Sequence, residues 1–121
     1  MNGGISIHCV DVANGRVAVG LGVSVYRLGG GELIAQGAVN AQGLFEHPAL
    51  MSEAITAGGY DVRFAVGDFY RKLGGTPGAP IAPSAFLELV PYHFHIVDAT
   101  KHTHLPFKFT PWGFSLFRGG A

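Results

Sequence analysis

The closing stretch of the chain, residues 102–121, alternates apolar and polar side chains with the two-residue period of a β-strand. Leu105 and Phe107 share one parity, so a strand turns them toward a core, whereas His104 projects from the opposite face. A Pro-Trp-Gly sequence at residues 111–113 then interrupts the alternation, as proline and glycine commonly do between strands. The pattern predicts a final hairpin whose polar face carries a histidine, next to a glycine-rich chain end.

Strand-like segments of the same kind recur along the chain, separated by glycine, proline and asparagine turn signals. They comprise residues 5–12, 21–28, 32–40, 44–49, 59–66 and 86–97. One short helix is predicted at residues 68–73, with Asp68 as its N-terminal cap and Gly74-Gly75 as its end, followed by a proline-containing loop at 76–83. About seven or eight strands with one short helix are typical of an all-β sandwich of two sheets.

The composition limits the classes of partner. The chain of 121 residues is expected to form one domain with its own hydrophobic core. Its 8 basic and 8 acidic side chains balance, so no basic surface is indicated for nucleic acid or for an anionic membrane. No apolar run approaches the roughly 20 residues of a membrane span, and the first residues lack the pattern of a signal peptide. Charged residues make up only 13% of the chain, which suggests that partner subunits cover part of the surface.

The chain has a single cysteine, Cys9. No intrachain disulfide can therefore form, and a reduced, cytoplasmic setting is expected. Cys9 directly follows His8, which puts its thiol on the opposite strand face from that imidazole. A Cys-His nucleophile pair is therefore not expected, and Cys9 is interpreted as a core residue. Asp11 and Arg16 are interpreted as turn and surface residues.

Four histidines lie in two predicted strands that a short turn connects: His93, His95, His102 and His104. Imidazoles at alternate positions share a strand face, so this group permits a zinc site. No cysteine or carboxylate accompanies them, and a structural role is therefore favoured over metal binding. No motif in the sequence requires a metal or an organic cofactor.

Three blocks of residues, in this order and spacing, resemble one known family. The blocks are His8-Cys9-Val10-Asp11 with the turn at 14–16, residues 59–64 with 67–70, and residues 104–106 with 111–115 and Arg118-Gly119. They are similar to the transthyretin-like proteins, which include the 5-hydroxyisourate hydrolases of urate breakdown and the hormone carrier transthyretin. The resemblance covers nearly the whole chain, so residues 1–121 are expected to be a single transthyretin-like domain.

The resemblance implies a transthyretin-like (prealbumin) two-sheet sandwich that assembles as a homotetramer, a dimer of dimers. The first and closing strands would line a channel between dimers, and the chain ends would reach into it. Family hydrolases use two histidines, an arginine and a terminal Tyr-Arg-Gly-Ser tetrapeptide. His8 and His104 match the two histidines, and Arg118 and Gly119 match the middle of the tetrapeptide.

The chain also departs from the hydrolase pattern. Leu44 stands at the position of the family arginine, Phe117 at that of the tyrosine and Gly120 at that of the serine. Val17 replaces a proline after the first turn. The carrier branch matches less well, because it lacks the paired histidines and the arginine-glycine end. A substrate pocket with these replacements is expected to be more apolar than that of the hydrolases.

The expected function is hydrolysis of a small planar heterocyclic lactam, 5-hydroxyisourate or a related ring of purine catabolism. His8 and His104 would position and deprotonate water, and Arg118 with backbone amides near Gly119-Gly120 would hold the substrate carbonyl. The alternative is a non-catalytic protein that binds a planar aromatic ligand in the channel between dimers. Neither function calls for a cofactor.

Overall fold

The strands form two sheets in the computed structural model, which describes residues 3–74 and 86–120. The strands are β1 (Ile5–Asp11), β2 (Arg16–Val17), β3 (Gly22–Arg27), β4 (Leu33–Ala38), β5 (Leu44–Phe45), β6 (Gly58–Ala65), β7 (Leu89–Ile96), β8 (Thr103–Phe109) and β9 (Phe114–Leu116). A 3₁₀ turn covers Pro48–Met51, and helix α1 covers Val66–Gly74. The prediction of an all-β, two-sheet sandwich with one short α-helix is confirmed, and two of the nine strands in the described part are only two residues long.

The first and the closing strands are neighbours in one sheet. That sheet has the order β2-β1-β8-β9, with β5 also pairing with β1, and the second sheet has the order β4-β3-β6-β7. The β1–β8 pair is parallel, whereas the other strand pairs of both sheets are antiparallel. Two strands that are distant in the chain therefore lie side by side.

Alternating side chains of both sheets build the core. In β1 the residues Ile5, Ile7 and Cys9 are buried, whereas the residues between them are half-buried on the other face. Phe64 of β6 stacks on Phe107 of β8 with 3.9 Å between ring centroids, which joins the two sheets. Burying each large apolar side chain contributes about 1.5–3 kcal/mol to folding. The expected core position of Cys9 is confirmed.

Helix α1 starts earlier than the sequence predicted. It begins at Val66 instead of Asp68, so the prediction that Asp68 is the N-terminal cap is wrong. Asp68 lies in the first turn, where its Oδ1 accepts a hydrogen bond from Arg71 Nη2 at 2.7 Å. A Cβ on Gly67 would lie against the Glu88 carboxylate and 3.0 Å from the Leu87 carbonyl oxygen, so glycine allows the first turn to pack closely on residues 87–88. The predicted helix end at Gly75 and the loop at 76–83 lie outside the described residues.

Three other segments differ from their predicted form. Strand β7 begins at Leu89 and not at Phe86. Residues 44–49 form the short strand β5 and the start of the 3₁₀ turn, because Pro48 lacks the N–H that would continue a strand ladder. Strand β2 extends the first turn by pairing Arg16 with Asp11.

Asp11 is fully buried, so its interpretation as a surface residue is wrong. Its carboxylate accepts hydrogen bonds from the Tyr70 hydroxyl at 2.6 Å and from Asn14 Nδ2 at 2.7 Å. Burial, followed by the hydrogen bond to Asp11, raises the pKa of the Tyr70 hydroxyl. The buried carboxylate thus ties the end of β1 to helix α1 through hydrogen bonds.

No helix among residues 3–74 and 86–120 is both long enough and apolar enough to cross a membrane.

Candidate functional site

The central strands β1 and β8 bring polar side chains together on the outer face of the five-stranded sheet. Their parallel register pairs Ser6 with His104 and His8 with Pro106. Ser6, His8 and His104 are half-buried, in contrast to the buried apolar residues that alternate with them. Because adjacent strands are about 4.8 Å apart, the two histidines lie on one face as diagonal neighbours.

A short chain of hydrogen bonds surrounds His104. Ser6 Oγ lies 2.6 Å from His104 Nδ1 and 2.7 Å from His102 Nε2. His102 Nδ1 in turn lies 2.6 Å from the carbonyl oxygen of Gly3. One serine hydroxyl therefore bridges two imidazoles, and the second imidazole is anchored to the backbone.

His8 packs against Gly43, a position where the backbone and the neighbouring side chains favour glycine. Gly43 has a φ of +83°, and a Cβ on it would lie 3.0 Å from His8 Nε2 and 2.8 Å from Val17 Cγ1. A side chain at this position would therefore be strained and would displace the imidazole. Pairing of β5 with β1 sets Leu44 opposite His8.

A cavity of about 370 Å³ lies beside this face. Ser6, Leu44, Phe45, His47 and Met51 are among its lining residues, and most of the lining is apolar. His47 falls outside the positions matched to the family site, yet it shares this cavity with Leu44. Its Nδ1 accepts a hydrogen bond from the Ala49 N–H, which is a capping role that the sequence pattern did not reveal.

The chain end folds back onto His104. The Gly119 N–H donates to the His104 carbonyl oxygen at 2.8 Å. A Cβ on Gly119 would lie 3.0 Å from Pro106 Cδ and 3.4 Å from His104 Cδ2, so glycine allows this close approach. The next residue, Gly120, has a φ of +51°, which favours glycine there as well. Phe117 is half exposed.

Arg118 lies apart from this group. It lines a second cavity of about 390 Å³ together with Thr103 and Leu105, whose parity in β8 is opposite to that of His104. Lys101 and His95 also line this cavity. The structure thus brings His8, His104, Leu44 and Gly119 together, and it leaves Arg118 on the other side of β8.

The surroundings of His104 favour its neutral form. Partial burial, followed by the charges of His102 and His8, lowers the pKa of the His104 imidazole below its ordinary value. Burial raises the pKa of the Cys9 thiol to about 12. That thiol stays protonated at neutral pH and is not a nucleophile.

The four histidines considered for zinc are divided between the two sheets. His93 and His95 belong to β7, whereas His104 belongs to β8 and His102 immediately precedes that strand. In the part of the chain that the structure describes, no group of three or more His, Cys, Asp or Glu side chains is placed to hold a metal ion.

Two known proteins resemble this chain along their whole length. The 5-hydroxyisourate hydrolase 2 of Rhizobium meliloti (strain 1021) is 37% identical over 120 residues, which are 98% of this chain and 97% of the relative. The structure of Klebsiella pneumoniae 5-hydroxyisourate hydrolase superposes with a TM-score of 0.78 at 30% identity, over 99% of this chain and 100% of that chain.

A third comparison involves a longer protein. The crystal structure of (S)-allantoin synthase superposes with a TM-score of 0.83 at 28% identity, and it covers 98% of this chain. This chain spans only 44% of that protein. The family model described as HIUase/Transthyretin family matches residues 5–119. Since the match includes both site strands and the glycine that closes on His104, the chain belongs to the HIUase/Transthyretin family.

Proposed function

We propose that the protein is a cyclic amide hydrolase that opens a small planar heterocyclic lactam, namely 5-hydroxyisourate or a closely related ring of purine catabolism. The observation that carries the proposal is the pair of half-buried imidazoles, His8 and His104, on one face of adjacent central strands. Two of the proteins compared above are named 5-hydroxyisourate hydrolase, which supports this substrate class. The proposed chemistry uses water as the second reactant and needs no cofactor.

In the proposed mechanism His104 is the base. Its neutral imidazole accepts a proton from water while the water oxygen attacks the carbonyl carbon of the ring. The tetrahedral intermediate then collapses, the C–N bond breaks, and the imidazolium of His104 returns the proton to the leaving nitrogen. His8, on the neighbouring strand, holds the water or the substrate in position.

The negative charge of the tetrahedral intermediate needs hydrogen-bond donors. The Gly119 N–H already donates to His104, so the backbone N–H of Gly120 is proposed for this role. Arg118 is proposed to supply a guanidinium. In its own protomer Arg118 lines the second cavity, and its role therefore depends on the chain end of a neighbouring protomer.

We propose a homotetramer, a dimer of dimers, in which neighbouring chain ends complete the site. Three large apolar side chains near edge strand β9, Trp112, Phe114 and Phe117, are about half exposed. An apolar group of this kind along an edge strand suits a subunit interface. The low share of charged residues, 13%, supports the same proposal.

Leu44 and the cavity beside it favour a second candidate function, the binding of a planar aromatic ligand without chemistry. The cavity of about 370 Å³ is large enough for a small ring. Leu44 and Phe117 stand where the family hydrolases are expected to have polar groups, which makes the proposed pocket more apolar. A protein that binds such a ring and does not hydrolyse 5-hydroxyisourate would fit this candidate.

The direct test is to mix the purified protein with freshly generated 5-hydroxyisourate and follow the decay of its ultraviolet absorbance. Decay faster than the spontaneous reaction is expected. His104→Ala should lower turnover by roughly 10²- to 10⁴-fold, the usual contribution of a positioned base. His93→Ala, on the other sheet, is the matched control and should leave turnover unchanged. Equal losses in both variants, or an inert native protein, would contradict the proposal.

A cytoplasmic location is proposed on the basis of the cysteine content. Cys9 is the only cysteine and is buried, so the fold uses no disulfide and suits a reducing compartment. Fractionation of cells that produce the protein would test this location.

A further inference from the structure

The hydrogen bonds around His104 determine where its proton lies. A backbone carbonyl oxygen can only accept a hydrogen bond. The contact of 2.6 Å between His102 Nδ1 and the Gly3 carbonyl oxygen therefore requires a hydrogen on Nδ1. When His102 is neutral, its imidazole carries one ring hydrogen, and its Nε2 is then an acceptor.

The Ser6 hydroxyl then has His102 Nε2 as the acceptor for its hydrogen. At 2.7 Å from His102 Nε2, the hydroxyl donates its single hydrogen to that nitrogen. At 2.6 Å from His104 Nδ1, the Ser6 oxygen can only accept. His104 must therefore carry its hydrogen on Nδ1, and its Nε2 is left with a free lone pair.

We propose that Ser6 and His102 are positioning residues that hold neutral His104 as the Nδ1–H tautomer, so that Nε2 is the nitrogen that takes the proton from water. This inference rests on the proposed hydrolase function for its catalytic meaning, whereas the tautomer itself can be measured without substrate. In this proposal both residues act through His104, and Ser6 also lines the cavity of about 370 Å³. The arrangement is analogous to other catalytic histidines, whose second nitrogen is oriented by a fixed partner.

Ionisable groups near this hydrogen-bond chain include His8 on β1 and Lys108 further along β8. Glu46 and His47 line the neighbouring cavity together with Ser6. The lowered pKa of His104 supports a neutral ring under working conditions.

The first test measures the tautomer in the native protein. Long-range proton–nitrogen NMR spectra of ¹⁵N-histidine-labelled protein distinguish protonated from bare ring nitrogens at alkaline pH. The His104 signals, assigned with His104→Gln, are expected to show a protonated Nδ1 and a bare Nε2. A hydrogen on Nε2 of neutral His104 in the native protein would overturn the proposal.

The second test changes the hydroxyl. Ser6→Ala is expected to shift His104 toward the Nε2–H form and to lower kcat by about 10- to 100-fold with little change in KM, the usual effect of losing a partner that orients a histidine. Ser6→Thr keeps a hydroxyl and should restore both the tautomer and kcat. Ser24→Ala, at a half-buried position of β3, is the control and should change neither.

The two proposals fail in different ways. A native protein that does not hydrolyse 5-hydroxyisourate contradicts the proposed function, and the NMR spectra of the native protein still decide the tautomer. An active protein in which Ser6→Ala keeps full kcat and an unchanged His104 tautomer contradicts the positioning role. An equal loss of kcat in Ser6→Ala and Ser6→Thr, with the tautomer unchanged in both, also contradicts it.

Discussion

The replacement Leu44→Arg tests how far the site has changed from the hydrolase pattern. Leu44 faces His8 across the β5–β1 pair and lines the cavity of about 370 Å³, so a guanidinium at this position can extend toward a bound ring. An arginine offers a planar fork of donors for a ring carbonyl or an anionic heterocycle. Such a charge-assisted hydrogen bond contributes about 1.5–3 kcal/mol, which corresponds to roughly 10- to 100-fold in kcat/KM.

The assay is steady-state hydrolysis of 5-hydroxyisourate by the native protein and by Leu44→Arg. A gain within that range is expected if 5-hydroxyisourate is the substrate. Leu33→Arg adds the same charge at an exposed position of β4 and should leave kcat/KM unchanged. A loss of activity in Leu44→Arg, with the native protein active, would refute the reasoning and indicate a less polar ring, against which a buried charge is costly.

Three further outcomes are expected. The free energy of unfolding should decrease as pH falls below about 6.5, because the lowered pKa of His104 means that the unfolded chain binds the proton more readily. Urea titrations of the native protein and of His104→Gln at several pH values will measure this dependence. An identical pH dependence in both proteins would contradict it. Tyr70→Phe removes the donor to the buried Asp11 carboxylate and should cost about 1–3 kcal/mol of stability, whereas an unchanged urea midpoint would show that the bond contributes nothing. Light scattering should give a mass several times the 12.7 kDa of one chain, and a monomer mass at all concentrations would refute the proposed tetramer.

The period of two in the sequence correctly predicted the buried faces formed by Ile5, Ile7 and Cys9 of β1 and by Leu105, Phe107 and Phe109 of β8, whereas the burial of Asp11 and Pro106 was not predicted. This local pattern works because successive side chains of a strand must point to opposite faces. It separated Cys9 from His8 and turned His104 away from Phe107, as the structure confirms. The pattern was weaker at the ends of elements, since α1 begins at Val66, two residues before the predicted cap.

The residues that act on His104 through hydrogen bonds could not be found from local patterns. Ser6 is separated from His102 by 96 residues and from His104 by 98, and only the parallel register of β1 and β8 brings them into contact. In the sequence Ser6 and His8 are two residues apart in a predicted strand, which places them on one face, and this was the one available signal. The burial of Asp11 likewise depends on Tyr70, which is 59 residues away.

The sequence by itself thus determined the strand faces, the two-sheet sandwich, the family and the glycines that match its closing segment, because these follow from short-range periodicity and from residue blocks in a fixed order. The tertiary structure alone decided which hydroxyl meets which imidazole, the placement of Leu44 and His47 on one cavity, and the position of Arg118 on the opposite side of β8 from His104. The physical reason is that strand parity alone sets the direction of a side chain. The partners of that side chain depend on strand register and on the path of the chain end, and contacts between distant parts of the sequence set both of these.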